Sequence, residues 1–169
     1  MARLPLVPLD ELPGPLAQAV DRGRGNRMLS TTVPVQLWAH RPELALAWLQ
    51  ALDQIHSHGV LDARLRELVR LRIAAITTCK ACNFARKSDE VSEEDIACLA
   101  SDDARFAPHE QAALHYAELF AADYMSIDEG LFEELRRWFS VPQIVELNMF
   151  CALMLAGGRM TYVQRAYEE

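Results

Sequence analysis

Residues 67–86 read ELVRLRIAAITTCKACNFAR, and the fold turns on how this stretch is arranged. Leu65, Leu68, Val69, Ile73 and Ile76 recur at helical spacing ahead of the two cysteines, Cys79 and Cys82. Cysteines with two residues between them can bond when they lie in the first turn of a helix. There the unsatisfied N–H groups and the helix dipole favour a thiolate. Lys80, Arg86 and Lys87 add positive charge that pushes the same way. The thiolate is the form that attacks a peroxide or a disulfide.

Two other readings compete. A structural zinc site takes four ligands, but Cys98 and Cys151 stand alone and no His-x-x-x-His follows the pair. We therefore expect no metal. The blander reading makes the pair two small apolar fillers on a helix, and Cys98 and Cys151 read as such fillers themselves.

Glu67 precedes Cys79 by twelve positions, about 18 Å on one continuous helix and too far for chemistry. A turn near Thr77 and Thr78 changes that. Glu67 then lies about 15 Å down one leg and Arg86 about 13 Å down the other, facing each other across a helical hairpin. Cys82 and Arg86 are four apart and share a face. Glu67, Arg86, Cys82 and Cys79 would form one ladder, with Arg86 able to pair with Glu67.

Outward from this stretch the pattern stays helical. Leu44, Trp48, Leu49, Leu52 and Ile55 form a stripe after Pro42, and Gly59 stops that helix. Asp62 suits the N-cap of the next. Ser92 opens a short helix and Pro108 a longer one. Ser126 with Glu129 reads as a capping box, as does Ser140 with Gln143. The last helix is apolar nearly all round and should be enclosed by the domain or by a subunit interface. Met149, Phe150, Leu153 and Met154 within it read as core. So do Trp38, Trp48 and Trp138, in a core or an interface. No run alternates as a strand would, so the fold class is all-α. Residues 1–40 form an irregular segment with one short helix, from Gly14 to Arg22, followed by an Arg22–Arg27 loop. Residues 41–169 form the helical domain.

The 169 residues are 51% hydrophobic and 24% charged, enough apolar material for a core, with a net charge of −7. That balance argues against nucleic acid and anionic membranes as partners. The proline-broken N-terminus does not read as a secretory signal, and the apolar run Ile144–Gly158 is short for a bilayer. The expected location is the cytoplasm. No glycine-rich phosphate loop follows a strand, so no nucleotide or other cofactor is implied.

The order Glu67, eleven residues, Cys79, two residues, Cys82 resembles the signature of alkylhydroperoxidase D-like (AhpD-like) proteins in the carboxymuconolactone decarboxylase superfamily. Residues 41–44 (RPEL), 61–69 (LDARLRELV), 91–96 (VSEEDI) and 139–147 (FSVPQIVEL) are similar to that family's wording. The likeness covers roughly residues 35–165. It implies a helical bundle bearing the pair on a hairpin, and a homo-oligomer, a trimer or hexamer. It implies a peroxiredoxin-type antioxidant activity, with an organic hydroperoxide as substrate and a dithiol protein or small thiol as reductant. In the family a histidine four positions after the second cysteine links the glutamate to the thiol as a proton relay. Carried over, Cys82 attacks the peroxide, Cys79 resolves it and Glu67 is the base end of the relay.

This chain departs from the signature at its end, where Arg86 stands in the histidine's place, and Ala81 where some members carry a second histidine. Arginine stays protonated and cannot shuttle a proton. It can still stabilise a Cys82 thiolate, so thiol reactivity should outlast full peroxidase turnover. His109 and His115 read as surface or cap residues, His56 and His58 as helix C-terminal charges, and His40 as a helix-boundary residue. Which cysteine is more acidic stays open: the dipole favours Cys79, Arg86 and the family analogy favour Cys82. The alternatives to a peroxidase are a decarboxylase-type lyase and a non-catalytic binding oligomer that kept the fold.

Overall fold

A computed structural model describes residues 2–99 and 104–167. Among them all regular structure is helical, as the sequence predicts. Contacts divide the chain into two compact units, Met1–Gly59 with Arg159–Glu169, and Val60–Gly158.

The first unit holds a 3-10 turn at Leu9–Glu11, then α1 (Gly14–Gly25), α2 (Val33–Trp38) and α3 (Pro42–His58). Its core joins Leu12, Leu16, Ala19, Val20, Val35, Ala39, Ala45 and Leu49. Trp38 meets Trp48 edge to face at 5.9 Å, and its indole N–H donates to Gln164 at 2.9 Å. Two expectations fail here. The α3 stripe is centred on Ala45, Leu49 and Ile55, while Leu44 is 60% exposed. The supposed Arg22–Arg27 loop begins as helix, because α1 continues to Gly25. Gly23 does not break it: the residue is buried, and a Cβ there would lie 2.9 Å from Leu29 Cγ, so the absent side chain makes a close contact possible. The chain reverses only at Arg27, whose φ is 66°. His56 Nε2 donates to the Asn26 carbonyl at 2.8 Å and His40 Nε2 to the Pro5 carbonyl at 2.9 Å.

The second unit holds α4 (Ala63–Ile76), α5 (Lys80–Phe84), α6 (Glu93–Cys98), α7 (Pro108–Ala122), a 3-10 turn at Tyr124–Ser126 and α8 (Glu129–Trp138). It also takes in α9 (Val141–Gln164) as far as Gly158. The central element is α4, which packs against α7 and α5 and buries residues on nearly every side. Leu68 and Leu71 join Val91, Leu99, Phe106 and Leu114 in a core that Ile96 and Cys98 border. Arg64 ties three helices: it donates to Glu110 at 2.7 Å, to Asp95 at 2.9 Å and to the Glu90 carbonyl at 2.6 Å. Its hydrogen bond holds the Asp95 carboxyl below the ordinary range.

Most helix starts follow the residues predicted for them. Asp62 accepts from the Leu65 N–H at 2.7 Å, and Ser92 with Asp95 forms a full capping box. Gln143 accepts from the Ser140 N–H at 2.9 Å. The Ser126–Glu129 box does not form. Ser126 closes the 3-10 turn, and Asp128 caps α8 by accepting from the Leu131 N–H at 3.0 Å.

The last helix is only partly enclosed by this chain. Ile144, Leu147, Phe150 and Cys151 are buried, but Val141, Val145 and Met149 are 68%, 51% and 56% exposed. One apolar face is thus left uncovered by this chain, and Met149 is not core. Trp138, 47% exposed, is not core either. At 24 residues α9 is long and apolar enough to cross a bilayer, a property that core helices of other proteins share.

Asp62→Ala should remove the α4 cap and cost about 1 kcal/mol. Chemical denaturation read by circular dichroism should show a lower midpoint with an unchanged slope.

Candidate active site

Helix α4 ends at Ile76, and the chain turns where the sequence suggests. The Thr77 hydroxyl donates back to the Ile73 carbonyl at 2.9 Å, and Thr78 sits in the left-handed region at φ 54°. That conformation is strained for a β-branched residue. The Cys79 N–H then returns to the Ala74 carbonyl at 3.1 Å, and the Asn83 side-chain amide reaches the same oxygen at 3.2 Å.

Close approach at this turn depends on Gly158 of α9. A Cβ built there would fall 2.5 Å from Thr77 Oγ1 and 3.0 Å from Thr77 Cβ. Only glycine lets α9 lie this close to the residue two before Cys79.

Cys79 is the N-cap of α5, and its sulfur accepts from the Cys82 N–H at 3.4 Å. The two cysteines are joined as a disulfide with Cα atoms 5.2 Å apart. They differ in access: Cys79 is fully buried, while Cys82 is half-buried. The helix has only five residues, so its dipole is weaker than a long helix would supply. Charge near the pair comes mainly from side chains.

The most enclosed of these is one the sequence reading passed over. Arg70 grips Glu67 with two hydrogen bonds, Nε to Oε2 and Nη2 to Oε1, each 2.7 Å. It also donates from Nη1 to the Cys82 carbonyl at 2.6 Å and from Nη2 to the Ala85 carbonyl at 2.8 Å. Glu67 accepts further from the Lys87 N–H at 2.9 Å. Glu67 and Arg70 are 2% and 7% exposed. The only earlier signal for Arg70 was its place three residues after Glu67, the spacing of a same-face ion pair. A charge on the inner face of a helix otherwise apolar there needs a partner.

Arg86 takes a different post from the one anticipated. Its guanidinium pairs with Glu93 through Nε at 2.9 Å and Nη2 at 3.0 Å, and Nη1 donates to the Asn83 and Ala85 carbonyls at 2.6 and 2.9 Å. The hydrogen bond to Glu93 raises its pKa, and the charge of Glu67 adds to the effect. Glu67 and Arg86 thus feel each other, but the bidentate partner of Glu67 is Arg70. Arg70 and Arg86 both hold the Ala85 carbonyl, so two cations close the C-terminal end of the cysteine helix.

The remaining candidates lie elsewhere. His109 stacks edge-on against Phe139 at 6.3 Å. His115 lines a shallow depression with Arg72, Phe106 and Glu118. Cys98 is half-buried rather than buried, and Cys151 is fully buried, its thiol pushed up to about 12 by burial. Among the described residues no cluster of three His, Cys, Asp or Glu groups could hold a metal.

These features define an all-helical protein with a disulfide-capable cysteine pair on a hairpin. Residues 42–119 match the model of the carboxymuconolactone decarboxylase family. Solved structures share the fold, three of them as follows. A peroxidase-related protein of the alkylhydroperoxidase AhpD core from Ralstonia eutropha superposes with a TM-score of 0.76 at 21% identity, over 96% of this chain and 89% of that one. A protein of unknown function from Agrobacterium tumefaciens, assigned to AhpD-type antioxidant defence, gives 0.65 at 23% identity over 73% and 89%. The debrominase Bmp8 without ligand gives 0.70 at 18% identity over 95% and 88%. A search of curated proteins found no significant match. The stretch that carries Glu67 and both cysteines thus matches the carboxymuconolactone decarboxylase family, and the fold is shared with AhpD-type structures.

Gly158→Ala should force Thr77 aside and cost about 1–3 kcal/mol, the usual range for overpacking a close contact; thermal unfolding monitored by circular dichroism measures it. In the dithiol-reduced protein, iodoacetamide at pH 8 should label Cys82 and spare Cys151 until the fold is opened with denaturant, as peptide mass spectrometry will read.

Proposed function

We propose that this protein is a thiol-dependent hydroperoxidase that works through Cys82 and Cys79. The observation that carries the reading is the bonded pair itself, with Cys82 half-buried and Cys79 fully buried beside it. The Cys82 thiolate attacks the terminal oxygen of an organic hydroperoxide. The O–O bond breaks, Cys82 becomes a sulfenic acid, and the alkoxide leaves and takes its proton from water. The Cys79 thiol then attacks that sulfur, the disulfide forms and water departs. A dithiol protein or small thiol returns two electrons by exchange and restores both thiols.

Accessibility favours Cys82 as the attacking sulfur, and the enclosure of Cys79 suits a resolving role that meets no substrate. Glu67 is engaged by Arg70 and the Lys87 N–H, and Arg86 by Glu93, so proton delivery to the alkoxide is the weak step. Modest turnover follows from that. The uncovered row Val141, Val145 and Met149 supports self-association, in keeping with the homo-oligomer the family resemblance implies.

The test is peroxide consumption by the reduced protein in the presence of a dithiol. The parent should consume peroxide and Cys82→Ser should not. Cys79→Ser should be oxidised once per chain without cycling. Arg86→His should raise the rate, because an imidazole can pass a proton where a guanidinium cannot. If the parent and Arg86→His are both inert, with a Cys82 thiol titrating near about 8.5, the chain is a non-enzymatic member of its fold.

A further inference from the structure

The reaction above uses the two sulfurs and leaves the most enclosed charges of the site, Glu67 and Arg70, without a task. Their burial is not explained by stability alone. A buried ion pair is often no more stabilising than apolar side chains of the same volume, because both charges lose their hydration. What sets this pair apart is its seat: the Arg70 guanidinium bonds the carbonyl of Cys82 itself.

Every charged group around Cys82 bears on the question. Lys80 lies on the same turn and is exposed. Arg86, just beyond α5, is matched by Glu93 of α6 in a pair that is largely at the surface. Lys87 presents its backbone N–H to Glu67. Glu67 and Arg70 come from α4. Theirs is the pair that solvent does not screen, and charges in such a setting act more strongly at a given distance. The pair is also oriented. Arg70 touches the Cys82 backbone, and Glu67 lies behind it, bonded to Arg70 and Lys87. The positive end of the dipole is therefore the end joined to the thiol-bearing residue.

We propose that Arg70 is a positioning residue that holds Cys82 by its carbonyl and favours its thiolate through a fixed, Glu67-balanced charge. This rests on Cys82 being the reactive thiol. In this chain the buried carboxylate then serves as counter-ion to a guanidinium rather than as a carrier of protons, and thiolate stabilisation needs no titrating relay.

The test reads thiol acidity separately from peroxide turnover. The rate of iodoacetamide alkylation at Cys82 is followed against pH by peptide mass spectrometry in dithiol-reduced full-length protein. The set is the parent, Arg70→Gln, Glu67→Gln and the double variant. Arg70→Gln should move the midpoint up by about one pH unit, and Glu67→Gln should move it down by a similar amount. The double variant, which buries no charge, should lie between Arg70→Gln and the parent, because removing the whole dipole removes its nearer, positive end. Arg70→Lys should lie between the parent and Arg70→Gln, since it keeps the charge but not the planar fork.

A merely structural pair would lower the melting temperature of the single variants without opposite shifts in midpoint, and that result overturns the proposal. Should a single variant fail to fold, the double variant decides, and a midpoint equal to the parent's overturns it equally. If the ordering holds but the parent consumes no peroxide, the functional reading fails and this assignment stands. If peroxide is consumed without the ordering, only this assignment fails.

Discussion

The contact between Arg70 and Glu67 is the constraint on which the cysteine hairpin depends. One guanidinium joins a carboxylate on its own helix to two carbonyls, Cys82 and Ala85, on the next. Helix α5 has five residues, too few to be stable by its own hydrogen bonds. Its form comes from what grips its ends. Cys79 caps the start and the two arginines close the finish, with Arg86 adding the Asn83 carbonyl. Among the described residues no buried side-chain nitrogen or oxygen is left without a partner, so the charge enclosed here is fully bonded.

A second constraint acts on the other side of the turn. Gly158 brings α9 against Thr77, and Thr77 precedes the left-handed Thr78 that aims the chain at Cys79. Strain at Thr78 persists because the neighbouring hydrogen bonds over-determine it. The cysteine pair is thus placed by a glycine and a threonine that carry no chemistry. The same helix that supplies the glycine shows an uncovered apolar face at Val141, Val145 and Met149.

Arginine at position 86, where the family resemblance implies a histidine, has a structural sense of its own. Arg86 makes a bidentate pair with Glu93 and still reaches two carbonyls, which an imidazole with two ring nitrogens could not do. The site therefore holds fixed charge where a relay would hold a movable proton. Such a site favours a thiolate but gives little help to a leaving alkoxide, a bias towards reactivity over turnover in the proposed reaction.

Much of this was legible from residue order alone. Helical spacing fixed the all-α class, Asp62 and Ser92 marked helix starts, and the spacing of Cys79 and Cys82 placed them at the head of a helix after a turn at Thr77 and Thr78. These are local properties, set within a few residues by capping and periodicity. Partner choice was not local. Glu67 had two arginines within reach, and only the packing of α5 on α4 decided that Arg70 takes its carboxylate and Arg86 turns to Glu93. The inward face of α3, the close approach at Gly23 and the bare side of α9 were likewise decided by what lies opposite each helix. A sequence records which groups need partners; the tertiary structure determines which partners they meet, because that depends on distances between segments far apart in the chain.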